Sequence, residues 1–249
     1  MTITGKNILL FVAHPDDEAY CSGTIAKLSA ANNHITMVIA TEGNRGTQNP
    51  EVKPEQLAAQ RKVEMRKAAE ILGIHELVWL GYEDGGLWNA PDYKERAFKV
   101  IRTYRPDVVI TFDPWKKYDF HSDHQSTGFV VTEAAYLGRC VWYFPEHMGA
   151  GLTGHAPAEV YLFQPEEANY TVDVTDFLKT KLDAAVVHAS QAADSGMNHL
   201  MRVQRFLSDV ENGNFSQIGD VKQSLKDFSQ LNAESTEYLR KVYESDLFI

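Results

Sequence analysis

Cysteine is almost absent: only Cys21 and Cys140 occur in 249 residues, far apart and outside any Cys-x-x-Cys spacing. Such usage excludes a disulfide framework and a thiolate metal site, and it suits a reducing compartment. Basic charge is also scarce. With 24 Lys and Arg against 34 Asp and Glu, the formal net charge is −10, which argues against nucleic acid or an anionic membrane as a partner. No apolar stretch approaches the ~18 residues of a membrane span. The amino-terminal run "ILLFVA" leads straight into acids, with no small-residue cleavage site. A soluble, cytoplasmic protein without membrane insertion is expected. Also missing are a Pro- or Ser-rich linker, an internal repeat and a low-complexity tract. Two Asn-x-Ser/Thr tripeptides, at Asn169 and Asn214, carry no weight without a secretory signal.

What is present is an alternation of two periods. Nearly continuous apolar runs at 7–13, 35–41, 76–82 and 107–113 read as strands buried on both faces. Helix-period segments at about 18–31, 54–73 and 92–104 lie between them, the second closed by Gly73. This order predicts an α/β fold, a Rossmann-like doubly wound, mostly parallel sheet with helices on both faces. Strands near 158–164 and 170–174 follow, then helices at about 176–192, 197–211 and 220–245. One domain over 1–249 is expected, with a core of about 1–175 and a helical extension over about 176–249. The composition leaves the oligomeric state open, and a homo-oligomer is compatible with it.

In doubly wound sheets, ligands bind beyond the carboxyl ends of the strands. Two such ends carry unusual residues: "AHPDDE" (13–18) after the first strand and "HSDH" (121–124) after the fourth. Crowded carboxylates raise the cost of ionising one another, so a cation explains their clustering. Imidazole with carboxylate oxygen suits zinc. The plainer reading of either motif is a turn, with Asp16 or Asp17 capping the following helix. Two such loops at one sheet edge favour a site.

The two motifs resemble the metal-site motifs of the PIG-L or LmbE-like zinc-dependent deacetylases, which remove acetyl from N-acetylglucosaminyl compounds. Weaker matches at "TEG" (41–43), "RKVEMRKAAEILG" (61–73), "GYEDGGL" (81–87) and "KLDAAVVHASQ" (181–191) follow in the family's order and span most of the chain. The resemblance implies that His14, Asp17 and His124 are zinc ligands and Asp16 the general base. It also implies that His121, as an imidazolium, stabilises the oxyanion and assists the leaving amine, with Asp123 orienting or charging it, unless Asp123 serves a ligand or caps the loop. Zinc is the implied cofactor, although ferrous iron suits the same ligands. The implied partner is a small amino-sugar substrate, met by Arg61, by Asp84 in its tight turn and by Tyr118 as a mobile aromatic. His188 reads as a core-packing residue. The Gly-rich span 148–157, with His147 and His155 in or beside it, reads as a lid or subunit contact. Of Trp88, Trp115 and Trp142, core burial is expected for most, with Trp115 the exception.

Three rivals are weaker. A two-metal phosphoesterase needs more ligands than these loops supply. A dinucleotide enzyme needs G-x-G-x-x-G where "HPDDEAYCSG" places acids. A non-catalytic sugar-binding domain, or an amidase on a larger sugar-thiol conjugate, keeps the same residues, and only turnover separates these.

Overall fold

Strand β1 (Asn7–Val12) is apolar on both faces because it runs through the middle of a seven-stranded sheet. The computed structural model describes residues 3–191 and 235–242. Helix α1 (Ser22–Ala30) leads to β2 (His34–Thr41), α2 (Pro54–Leu72) to β3 (Glu76–Tyr82), and α3 (Tyr93–Tyr104) to β4 (Val108–Phe112). Then come α4 (Ser122–Leu137), the short α5 (Glu146–Gly149), β5 (Glu159–Phe163), β6 (Tyr170–Asp173), α6 (Leu178–Val186) and β7 (Thr236–Val242). The sheet order is β3-β2-β1-β4-β5-β7-β6.

β3, β2, β1, β4 and β5 are parallel, with Leu10 opposite Met37 on one side and Ile110 on the other. Helices α1, α2 and α6 pack on one another, and α3 packs on α4, which lies against β1 and β4. Helices therefore sit in two groups about the sheet, as the alternating pattern predicts. The strand order reverses between β1 and β4. Their carboxyl ends flank the crevice that such a switch point opens.

Most elements fall where the periodicity places them. Pro54 starts α2, and Gly73 ends it in a left-handed conformation (φ 70°). Two expectations need correction. Helix α4 begins inside the "HSDH" motif and was not anticipated; its Gly, Thr and Val residues are indifferent helix formers. The expected helix over 220–245 is not continuous, because 236–242 form β7, antiparallel to both β5 and β6. The extension is thus not simply helical. Expected helix 197–211 and the remainder of 220–245 lie outside the described residues.

The reason β7 was missed is chemical. Its inward positions alternate as a strand's should, but one of them, Glu237, is an acid that is almost fully buried. Glu237 accepts the backbone N–H groups of Gly23 (2.9 Å) and Thr24 (2.7 Å) at the start of α1, and Lys181 of α6 donates to it at 3.0 Å. An acid there complements the helix dipole and satisfies two orphan donors. Gly23 permits the approach, since a Cβ would meet Val174 at 2.8 Å. Glu237→Ala is therefore expected to destabilise the fold by about 2–4 kcal/mol, read as a lower urea midpoint with unchanged slope, because two buried donors lose their acceptor.

Candidate active site

The loop after β1 is held by its own backbone. The carbonyl of Ala13 accepts both the N–H (2.8 Å) and the hydroxyl (2.9 Å) of Thr41. Asp17 Oδ2 accepts the N–H groups of Ala13 (3.1 Å) and His14 (2.6 Å), so its carboxylate is fixed at the strand end with Oδ1 turned outward. Asp16 occupies the N-cap position of the following 3₁₀ turn but makes no capping bond. Its backbone has φ 126°, a conformation costly for any side chain. The plain helix-cap reading fails for this residue. Instead its Oδ1 receives Arg61 at 2.8 Å.

Arg61 is 2% exposed and also donates to the carbonyls of Pro15 (2.5 Å) and Gly43 (2.9 Å). Gly43 has φ 59°, and a Cβ there would lie 2.5 Å from the guanidinium. The "TEG" segment thus supplies a threonine that ties two strand ends and a glycine that lets Arg61 in.

The second half comes from the start of α4. His121 is the N-cap and accepts the Asp123 N–H on Nδ1 at 3.3 Å. His124 lies in the first turn, with Nε2 3.4 Å from Asp17 Oδ1. Rings of His14 and His121 are 4.3 Å apart, and those of His121 and His124 4.6 Å. Two loops separated by 100 residues therefore meet at one point.

Asp123 is fully buried and accepts the N–H groups of Gly85 (2.7 Å) and Leu87 (3.1 Å), with His14 Nε2 at 3.3 Å. The histidine on its carboxylate is His14; His121 meets only its backbone N–H. Of the alternatives weighed for Asp123, the carboxylate behind a ligand histidine fits this contact. Asp84 Oδ1 stands 3.3 Å from His14 Nε2 and 3.7 Å from His121 Nε2.

Electrostatics follow from this crowding. Burial opposes ionisation of Asp17, yet His124 and His14 hold its carboxyl well below the usual range. Burial pushes Asp16 up to about 6, with Arg61 opposing and Asp17 reinforcing the shift. Burial disfavours the charged form of His14, but Asp17, Asp123 and Asp84 raise its pKa overall. His121 goes the other way, lowered by burial and by its two histidine neighbours. The imidazolium expected at His121 is thus disfavoured. A neutral ring whose Nδ1 accepts a backbone N–H carries its proton on Nε2, and remains a donor there.

Three histidines, His14, His121 and His124, bring nitrogens within 4.8 Å of one another, as do donor atoms of His14, Asp84 and Asp123. Both oxygens of Asp123 are engaged by backbone N–H groups, which disfavours the second set. The expected set of His14, Asp17 and His124 fits zinc in donor chemistry. Asp17 meets the two histidines with different oxygens, Oδ1 3.4 Å from His124 Nε2 and Oδ2 3.4 Å from His14 Nδ1.

Other expected residues are placed differently. Tyr118 is 84% exposed, with left-handed φ 61°. Trp88, Trp115 and Trp142 are all exposed, so core burial is corrected for Trp88, in a single 3₁₀ turn over Leu87–Asn89, and for Trp142, in a turn. His147 is buried between Arg102 (2.9 Å) and Glu95 (2.5 Å), and His155 meets the Pro106 carbonyl at 2.8 Å. Neither joins the cluster. His188 is buried as expected but is not merely packed: Nε2 meets Glu18 Oε1 at 2.6 Å, behind the catalytic loop. Ser190 beside it donates backbone N–H and hydroxyl to Glu64 (3.0 and 2.6 Å). Glu64 lies three residues after Arg61 on α2, so a helix-surface ion pair is the plain reading of its spacing. The signal for its role was the proximity of two buried-polar motifs, which spacing alone cannot pair.

Comparison with known proteins agrees with this geometry. The family model PIG-L, GlcNAc-PI de-N-acetylase, matches residues 9–135. The diacetylchitobiose deacetylase of Thermococcus kodakarensis is 34% identical over 75% of this chain and 70% of its own. A probable N-acetyl-alpha-D-glucosaminyl L-malate deacetylase 2 of Bacillus anthracis is 32% identical over 76% and 82%. The solved N,N'-diacetylchitobiose deacetylase from Pyrococcus horikoshii superposes with TM-score 0.78 at 28% identity, covering 95% of this chain and 84% of that one.

The Glu18–His188 pair yields a pH prediction. Burial opposes protonation of His188, but the facing Glu18 raises its pKa above the ordinary 6.5. A group raised on folding stabilises below its unfolded pKa and loses that contribution as pH rises through the folded value. His188→Gln should therefore lower the urea midpoint more at pH 6 than at pH 9.

Proposed function

The chain belongs to the PIG-L (GlcNAc-PI de-N-acetylase) family, and from that premise we propose that it is a zinc-dependent hydrolase removing acetyl from a small N-acetylglucosamine-containing molecule. The observation that carries the reading is the meeting of His14, Asp17 and His124, with Asp16 held beside them by Arg61. Three protein ligands leave a position for water, the arrangement of catalytic rather than structural sites. When bound, zinc lowers the pKa of such a water to near neutrality and polarises the amide carbonyl.

The protein's own groups do the rest. Asp16 accepts the water's proton as the water's oxygen bonds to the acetyl carbon and returns that proton to the amine nitrogen as the C–N bond breaks; its carboxyl, pushed up to about 6 by burial, is matched to this work near neutral pH. Arg61 keeps that carboxylate from swinging, because its other donors are anchored on Pro15 and Gly43. His121 holds Nε2–H toward the cluster, where it donates to the carbonyl oxygen as charge builds there. Asp123 orients His14 from behind. Asp84 offers its remaining oxygen to a sugar hydroxyl.

Substrate length has one structural clue. Trp115, Tyr118 and Phe120 stand exposed on the segment leading to His121, Phe120 at 92%. Aromatic faces beside the catalytic histidine suit stacking on a second ring or aglycone, which favours substrates larger than free N-acetylglucosamine. Among the described residues no helix is long and apolar enough to cross a membrane, and Cys21 and Cys140 are free thiols, in keeping with a cytoplasmic enzyme.

The test is acetate release by zinc-loaded protein from N-acetylglucosamine, its glycosides and malate conjugate, and diacetylchitobiose. Asp16→Ala is expected to retain zinc and lose roughly 10²- to 10⁴-fold in turnover, whereas His124→Ala loses zinc and turnover together. Full activity in Asp16→Ala removes it as the base; no release from any substrate sinks the deacetylase reading.

A further inference from the structure

We infer that Asp119, five residues before His124, is a positioning residue that fixes the metal-binding tautomer of His124 and the backbone of His121. The inference rests on the metal site proposed above. His14 and His124 are built alike. Each turns one ring nitrogen toward Asp17 and the other toward a carboxylate: His14 Nε2 to Asp123 at 3.3 Å, and His124 Nδ1 to Asp119 Oδ2 at 3.2 Å.

An imidazole that gives Nε2 to a metal must carry its proton on Nδ1. A carboxylate accepts only, so Asp119 selects that tautomer and fixes the ring plane. Its other oxygen accepts the His121 N–H at 3.0 Å, and its carbonyl accepts Gln125 Nε2 at 2.8 Å. One side chain thus sets both histidines of the motif.

The local backbone explains the placement. Tyr118 adopts φ 61°, a left-handed turn that leaves its own ring exposed, while the next side chain, Asp119, is only 14% exposed. Neighbouring segments are tied down as well: Asp113 accepts the N–H groups of Trp115 and Glu166, each at 2.9 Å. The aspartate is presented by an anchored loop.

Asp119→Asn is the discriminating variant. Its amide oxygen can still accept the His121 N–H, but its N–H₂ then faces His124 Nδ1 and favours a proton on Nε2, the nitrogen required by the metal. Zinc affinity, measured by chelator competition, is expected to fall about 10- to 100-fold, with little change in the urea midpoint of the zinc-free protein. Unchanged affinity overturns the assignment. Should the variant not fold, the wild type decides: zinc-loaded protein should show an exchange-protected, downfield imidazole proton assigned to His124 Nδ1, and its absence overturns the inference. A wild type that binds no zinc removes the metal reading and this inference together. Neither readout uses turnover, so a positive result with no acetate released would count against the deacetylase reading and not against the role of Asp119.

Discussion

Carboxylates packed closely enough to repel one another constrain everything else in this protein. Asp16, Asp17, Asp84 and Asp123 surround three histidines at the carboxyl edge of one sheet, and Asp17, Asp84 and Asp123 are buried. Left alone, such a group would neutralise itself by taking up protons. It is held by backbone N–H groups on Asp17 and Asp123, by one buried guanidinium on Asp16, and by a histidine set suited to a divalent ion. The same carboxylates raise the pKa values of His14 and His124 against the opposing effect of burial.

Neighbouring aspartates acquire different jobs from different surroundings. Asp17 is folded back on its own strand end and stays ionised; Asp16, one residue earlier on the strained turn, is lifted toward neutrality by burial and steadied by Arg61. Two environments set one residue apart thus push two carboxyls in opposite directions. Further out, Glu18, Glu64 and Glu237 anchor α2, α6 and the segment after it against the same loop region.

Both catalytic motifs were legible in the chain, because each combines residue types that a plain turn does not need. The parallel sheet was also legible, since strands buried on both faces read as continuous apolar runs. Helix α4 was hidden because its sequence begins with the motif and continues through indifferent helix formers. β7 was hidden because a charged residue, Glu237, occupies an inward position, and the partner groups that make this tolerable are more than 50 residues away. The role of Asp123 is open in the sequence for a similar reason: its partner, His14, lies in the loop after β1, 109 residues away.

By itself, then, the sequence determined the fold class and the two loops that bring histidine and carboxylate to the sheet edge, both of which depend on local pattern and side-chain chemistry. Tertiary structure alone decided which carboxylate faces which histidine, that Arg61 clamps Asp16, and that Asp119 meets His124 while the Tyr118 ring stands exposed. Those outcomes are set by distances and burial between segments far apart in the chain, and no spacing rule within one segment contains them.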